Sequence, residues 1–295
     1  YIVEEPDLAV EEMYIRAFIG SKKCKNKFAS YLGFYDMDEG IREVEEAAIA
    51  SSMQAAMDEE QFVVYFQPKF DIANDRDIGA EALVRWKHPD TGLMPPKHFI
   101  PIFEKNGFIS RLDFYVWEHV CRLIRKWLGD GICLDPITVN ISRISLYNPK
   151  LADILSGLIK QYDVPIGLLN LEITESAYVS DPELIQEAIR KLHQAGFILM
   201  MDDFGSGYSS LNMLKDIDVD VLKIDMQFLS GGESPGKGKI ILESVIQMAN
   251  NLGMPVIMEG VETQEQTRFL YKIGCNYVQG YYYARPMPQE EYEKK

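Results

Sequence analysis

Costly polar side chains stand at the ends of apolar runs, and the pattern recurs along most of the chain. Phe197-Ile198-Leu199-Met200-Met201 runs into Asp202 and Asp203, Leu169-Asn170-Leu171 into Glu172, and Val256-Ile257-Met258 into Glu259. Ile137-Thr138-Val139 meets Asn140, Val221-Leu222 meets Lys223, and Ile78-Gly79-Ala80 meets Glu81. A charged group in an apolar run is expensive to bury. When six strands carry such a group at the same end, the economical explanation is that all the ends face one place. A parallel barrel has such a place at its C-terminal mouth, and a ring of acids there suits a divalent metal ion.

The segments between these runs fit that architecture. Residues 62–66 read as a strand ending at Gln67-Pro68, followed by a turn at Asn74-Asp75-Arg76-Asp77 and a second strand over 78–86. The connection is too short for a crossover helix, so these two strands should pair antiparallel. Helical stretches over 95–105, 111–128, 149–161, 183–194, 240–252 and 263–272 then alternate with strands, and a last strand is expected over 277–283. Asp181-Pro182 is placed to cap the helix that follows, with Pro at its first position. Eight strands with intervening helices predict an α/β fold of TIM-like (β/α)8 type with the first strand antiparallel. The alternative is a doubly wound open sheet, which would gather strand-end polar groups near one switch point instead of spreading them over so many strands.

The chain has 295 residues, 47% of them hydrophobic, enough for one barrel domain and something small beside it. Residues 1 to about 35 offer a helix over 10–22 and a strand over 31–35, too little core to fold alone. Residues 36–60 read as a helix, with Ile41, Val44, Ala48 and Met53 at roughly helical spacing, suited to connect domains or to pair with a second copy. A net charge of −15 disfavours a polynucleotide partner, which needs a basic surface. Cys24, Cys121, Cys133 and Cys275 have neither metal-ligand spacing nor a disulfide framework, and read as thiols of a reducing cytosol. No apolar run reaches a membrane span and no signal peptide is visible. The chain opens on Tyr1 without a Met, like a piece of something longer, whose missing N-terminal part is free to carry a membrane anchor.

At the expected mouth, Glu81, Asn140, Glu172 and Asp202 would supply oxygen ligands from four strands, a donor set that suits Mg2+ or Mn2+ rather than zinc. Asp203 and Glu259 would hold a second ion, and a pair of ions is a device for phosphodiester hydrolysis. Any one of these acids could equally be a helix cap or a salt-bridge partner; the reading rests on the set. Lys223 would orient a water or stabilise phosphate charge, or else form an ion pair with Asp225 or a neighbouring acid. Arg85 would clamp a phosphate, or lie on the surface. The Asp203-Phe204-Gly205 string begins a glycine-rich loop over 203–211, but no other part of a kinase signature accompanies it. Residues 231–237 are a near-miss to a phosphate-binding loop, with Gly238 where Ser or Thr is needed, and read as a flexible loop. None of His88, His98, His119 and His193 pairs with another at ligand spacing, which disfavours a histidine metal site or a Ser-His-Asp hydrolase.

Taken together, these strings resemble the EAL-domain phosphodiesterases of bacterial signalling, which cleave cyclic di-GMP. The name-giving motif stands as EALVR over 81–85, with QP at 67–68, NIS at 140–142, LEITES at 171–176, DDFGSGYSSL at 202–211, LKID at 222–225, EGVE at 259–262 and QGYYYARPMP at 279–288. The resemblance covers about residues 61–293. It implies that Glu81, Asn140, Glu172 and Asp202 bind a first metal ion, and that Asp203 and Glu259 serve a second ion and its water. It further implies that Lys223 positions the nucleophile, Gln279 helps hold the water or metal shell, and Gln67 and Arg85 contact substrate. Glu175 would anchor the 203–211 loop, which the family couples to a homodimer contact. The implied product is the linear dinucleotide pGpG. Receptors in this family that bind cyclic di-GMP without cleaving it usually have degenerate acids or a degenerate DDFG loop; here all are present, which favours catalysis. Residues 1–36 resemble the tail of a GGDEF-like domain without its signature, residues 37–60 a connector helix, and 61–295 the EAL domain.

Overall fold

The computed structural model describes residues 8–22, 35–205, 215–229 and 235–295. The expected strand over 31–35 lies almost wholly outside the described residues, as do most of the 203–211 loop and residues 231–234 of the other glycine-rich segment. In chain order the elements are α1 (Val10–Lys22), α2 (Met37–Asp58), β1 (Phe62–Asp71), β2 (Arg76–His88), β3 (Gly92–Met94), α3 (Ile100–Asn106) and α4 (Ile109–Gly129). Next come β4 (Ile137–Asn140), α5 (Arg143–Leu146), α6 (Leu151–Gln161), β5 (Leu169–Thr174), α7 (Glu175–Ser180), α8 (Pro182–Ala195), β6 (Leu199–Asp202) and β7 (Val221–Asp225). The chain ends with α9 (Pro235–Asn251), β8 (Val256–Glu259), α10 (Gln264–Lys272), β9 (Tyr277–Val278), β10 (Met287–Pro288) and α11 (Gln289–Tyr292).

Eight strands close into a barrel in the order β1, β2, β4, β5, β6, β7, β8, β9 and back to β1. From β2 to β9 the pairings are parallel, and β1 runs antiparallel to both its neighbours. The (β/α)8 expectation with a reversed first strand therefore holds, and the open-sheet alternative does not.

Strand alternation sorts the side chains. Ile137, Val139, Leu171, Ile173, Leu199, Met201, Leu222 and Ile224 face outward into the main hydrophobic cluster between sheet and helices. Their sequence neighbours Thr138, Glu172 and Lys223 are buried but polar, and face inward. The helices answer with apolar stripes: in α8, Ile185, Ile189 and Leu192 are buried at helical spacing. Asp181 caps that helix by accepting from Leu184 N at 3.3 Å, and Thr263 with Gln266 forms a capping box on α10.

A second cluster around Phe62, Trp86, Phe99 and Phe103 lies beside the barrel. The later part of α2 packs on it through Ile49, Met53 and Ala56, whereas Met37, Ile41 and Val44 near its start are exposed. Among the described residues no helix is long and apolar enough to cross a membrane.

The helix expected over 95–105 starts only at Ile100, after a 3-10 turn at Pro96–His98, and three further boundaries differ from expectation. β1 does not end at Pro68; the ladder shifts register between Pro68 and Phe70, an irregularity that tolerates the missing N–H, and continues to Asp71. Residues 235–237 belong to α9, which Pro235 opens as a first-turn residue can. The last strand is short because Gln279 O accepts from Val261 N and Tyr282 N donates to Val261 O, turning the chain away from the ladder.

Candidate active site

Parallel pairing brings the strand-end residues to one level: Asn140 lies beside Glu172 and Asp225 beside Glu259. Gln67 enters from the reversed strand opposite Glu81. At the centre stands Lys223. Its ammonium lies 2.6 Å from Glu172 Oε1, 2.6 Å from Glu259 Oε1, 3.2 Å from Glu81 Oε2 and 3.6 Å from Asp202 Oδ1. It touches four acids, so the ion pairing weighed from sequence does form, with neighbouring acids and not with Asp225.

Neutral amides complete the ring. Asn140 Nδ2 donates to Glu81 Oε1 at 3.0 Å. Gln279 Nε2 donates to Glu81 Oε2 at 2.8 Å and to Gln67 Oε1 at 3.2 Å. Gln67 Nε2 in turn donates to the Ala284 carbonyl.

Charge is distributed unevenly. Burial works against the Glu81 carboxylate, but Lys223, Gln279, Lys69 and Asn140 outweigh it and hold its pKa at about 2. Glu172 is pushed well above the usual range by burial and then by Glu81, despite Lys223. Glu259 is raised to about 8 by burial, against the pull of Lys223. Burial works to lower the Lys223 pKa, yet Glu172, Glu259, Glu81 and Asp202 raise it well above its ordinary value. The ring thus keeps its lysine charged and Glu81 ionised, while crowding favours the protonated forms of Glu172 and Glu259.

Asp203 follows β6 with φ of 56°, in the left-handed region that few residues other than glycine adopt. It stands exposed at the edge of the ring, and partial shielding together with Asp202 lifts its carboxyl to about 6. Two residues on, Gly205 N donates to Glu175 Oε2 at 2.8 Å. Arg85 lies higher on β2, its guanidinium 5.8 Å from the centre of the Tyr65 ring and bonded to the Val84 carbonyl. It rims the mouth without touching the acids.

Two cavities open from the ring and share Glu81, Leu83 and Asp202 in their walls. One, of about 450 Å3, runs towards Ile100, Ile109, Leu112 and Val116. The other, of about 370 Å3, is lined by Gln67, Asp225, Glu259, Gln279 and Tyr281. Asp113 on α4 lines the first and was not foreseen: it is buried, and accepts from Ser142 N at 3.0 Å and Ser145 Oγ at 2.7 Å. Lys69, also unforeseen, lies inside the barrel bonded to Thr138 Oγ1. Its inward parity with Gln67 was the available signal, hidden because the strand was expected to stop at Pro68.

The donors fit a hard divalent ion: they are carboxylate and amide oxygens. Glu172 Oε2, Asp202 Oδ1 and Gln279 Oε1 are buried and make no hydrogen bond. Among the described residues, however, no three acids or histidines are already spaced to hold an ion, because the Lys223 ammonium stands between the carboxylates.

Fold and ring together define a class of protein, an α/β barrel with one reversed strand and a carboxylate-lined C-terminal mouth. Residues 50–286 match the EAL domain family, and the chain belongs to that family. It is 32% identical over 280 residues to the bifunctional diguanylate cyclase/cyclic di-GMP phosphodiesterase MucR of Pseudomonas aeruginosa, a match spanning 95% of this chain and 41% of MucR. The cyclic di-GMP phosphodiesterase RocR of the same organism is 33% identical over 252 residues, 85% of this chain and 64% of RocR. The chain therefore spans less than two thirds of the length of these relatives. A solved structure of the PaMucR phosphodiesterase in complex with c-di-GMP superposes with a TM-score of 0.78 at 34% identity, over 83% of this chain and 99% of that one.

Proposed function

We propose that this chain is a metal-dependent phosphodiesterase that hydrolyses cyclic di-GMP to linear pGpG. The carrying observation is the complete ring of Glu81, Glu172, Asp202 and Glu259 around Lys223, flanked by two cavities that share its walls. A cyclic dinucleotide laid across the ring puts a phosphodiester over the acids and one base towards each cavity.

Glu81, Asn140, Glu172 and Asp202 would hold one Mg2+ or Mn2+ ion, and Asp203 with Glu259 a second. Such ions neutralise the scissile phosphate and acidify a water. Lys223, held by Glu172 and Glu259, adds a fixed positive charge where the phosphorane develops negative charge. Gln279 spends its amide N–H groups on Glu81 and Gln67, which leaves Oε1 to accept from and orient the attacking water. Gln67 and Arg85 line the substrate path at the level of the ring and above it. Glu175 keeps the chain after Asp203 in place, and this loop couples the site to a homodimer of EAL domains. Residues 1–36 are the tail of a GGDEF-like domain, joined by the 37–60 helix to the catalytic domain of residues 61–295, and the reaction takes place in the cytoplasm.

The test is incubation with cyclic di-GMP and Mg2+ or Mn2+, following pGpG by chromatography. Turnover is expected with metal, none with chelator, and a loss of at least about 100-fold in Glu81→Ala. Saturable binding without pGpG would make the chain a receptor and overturn the reading.

A further inference from the structure

Lys69 takes no part in the reaction proposed above, yet it is a charged group sealed inside the barrel, 2% exposed. Its ammonium donates to Thr138 Oγ1 and lies 3.6 Å from Met200 Sδ. Both partners are neutral, whereas Lys223 meets four carboxylates.

Its position follows from strand periodicity. Thr138 lies two residues before Asn140 on β4, and Met200 two before Asp202 on β6. Lys69 lies two after Gln67 on β1, which runs the other way. All three therefore sit one layer beneath the ring, roughly 7 Å down the barrel. Asn170 and Ile257, two before Glu172 and Glu259, belong to the same layer. Lys69 is the one charge among these five side chains, directly under the acids.

An ammonium buried on neutral acceptors is unfavourable unless charge elsewhere compensates it. Burial draws its pKa down to about 8; Glu172, and more weakly Glu81 and Glu259, support its charge, while Lys223 opposes it. The compensation comes through space from the ring, and the interaction is mutual. A positive charge that steadies the carboxylates from below also repels any further cation they receive.

We propose that Lys69 is a positioning residue of the site: anchored on Thr138, it is a built-in counter-charge beneath the ring that sets how tightly the acids hold divalent metal. This rests on the metal-dependent reading above. The direction of the effect separates charge from packing. Damage to the barrel floor loosens a metal site, whereas removal of a repelling charge tightens it.

The experiment is a titration of the whole chain with Mn2+, reading free Mn2+ by electron paramagnetic resonance, in wild type, Lys69→Met and Thr138→Val. Methionine keeps the length of the side chain and drops the charge. Lys69→Met is expected to bind Mn2+ about tenfold tighter or more. Thr138→Val, which leaves the ammonium without its hydroxyl acceptor and so less favoured as a cation, moves the same way by a smaller factor. Unchanged or weaker binding in a Lys69→Met protein with native circular dichroism overturns the proposal. Should Lys69→Met not fold, Thr138→Val decides alone: tighter binding supports the proposal, and unchanged or weaker binding overturns it. Failure of the wild type itself to bind Mn2+ brings down the metal-dependent reading, and this inference with it.

Discussion

Buried charge in this barrel is supported in two different ways. Lys223 is held by carboxylates in direct contact, while Asp113 of α4 is held by uncharged donors, Ser142 N and Ser145 Oγ. Burial lifts the Asp113 carboxyl to about 6, with the serine hydrogen bonds pulling it only part of the way back. An unfolded aspartate titrates near 4, so the folded pKa is the higher one. Such a group stabilises the fold fully below pH about 4 and loses that contribution as pH rises towards 6. Two pH units correspond to about 3 kcal/mol at most. Asp113→Asn keeps the shape and an acceptor oxygen but cannot ionise. The variant is expected to match wild type near pH 4 and to exceed it by roughly 1–3 kcal/mol at pH 7, measured by urea unfolding across that range. Parallel stability curves for the two proteins would refute this. Neither Asp113 nor Lys69 was legible in the sequence. Asp113 is a single acid within an amphipathic helix, and only tertiary packing shows that its face is buried. The ring residues were legible because polar groups, four of them the ring acids, end six apolar strands at the same end, a pattern that no local salt bridge repeats so often.

Elements place those residues, and the shortest strand shows how. β9 has only two residues, yet Gln279 must follow it at the level of Glu81. The turn is fixed by the close approach of Gly280 to the loop after β8, where a Cβ would fall on the backbone of Val261, carbonyl oxygen and amide nitrogen alike. Main-chain atoms cannot swing aside as a flexible side chain would, so only glycine fits. Gly280→Ala is therefore expected to push Gln279 off Glu81, cutting kcat by about tenfold or more while the barrel still folds, with a melting temperature several degrees lower. An alanine variant with wild-type kcat would show that the turn does not position Gln279. The sequence pointed to a strand here because Tyr277 to Tyr283 is rich in β-formers; propensity does not register a close backbone approach. Elsewhere the element pattern was readable, since outward apolar and inward polar residues alternate in Thr138-Val139-Asn140 as in Leu171-Glu172-Ile173, and boundaries slipped where Pro68 was taken to end a strand and where the glycines of residues 231–237 suggested a flexible loop.

At the scale of the whole molecule, charge opposes the proposed substrate. The chain carries a net −15, and a cyclic dinucleotide brings two negative phosphodiesters. Approach from solution therefore starts against a repulsive field, and the attraction of bound divalent ions, Lys223 and Arg85 acts only near the mouth. These two ranges respond differently to salt. The Debye length shrinks from about 30 Å at 0.01 M to about 10 Å at 0.1 M, so added salt removes the long-range repulsion first. Contacts inside the ring are buried and screened far less. With Mn2+ saturating, kcat/KM for cyclic di-GMP is thus expected to rise severalfold between about 0.01 M and 0.1 M potassium chloride, with kcat nearly constant. This is opposite in sign to the behaviour of proteins that attract their ligand through a basic surface. A fall in kcat/KM over that range would mean that the local field of the mouth, rather than net charge, governs the encounter.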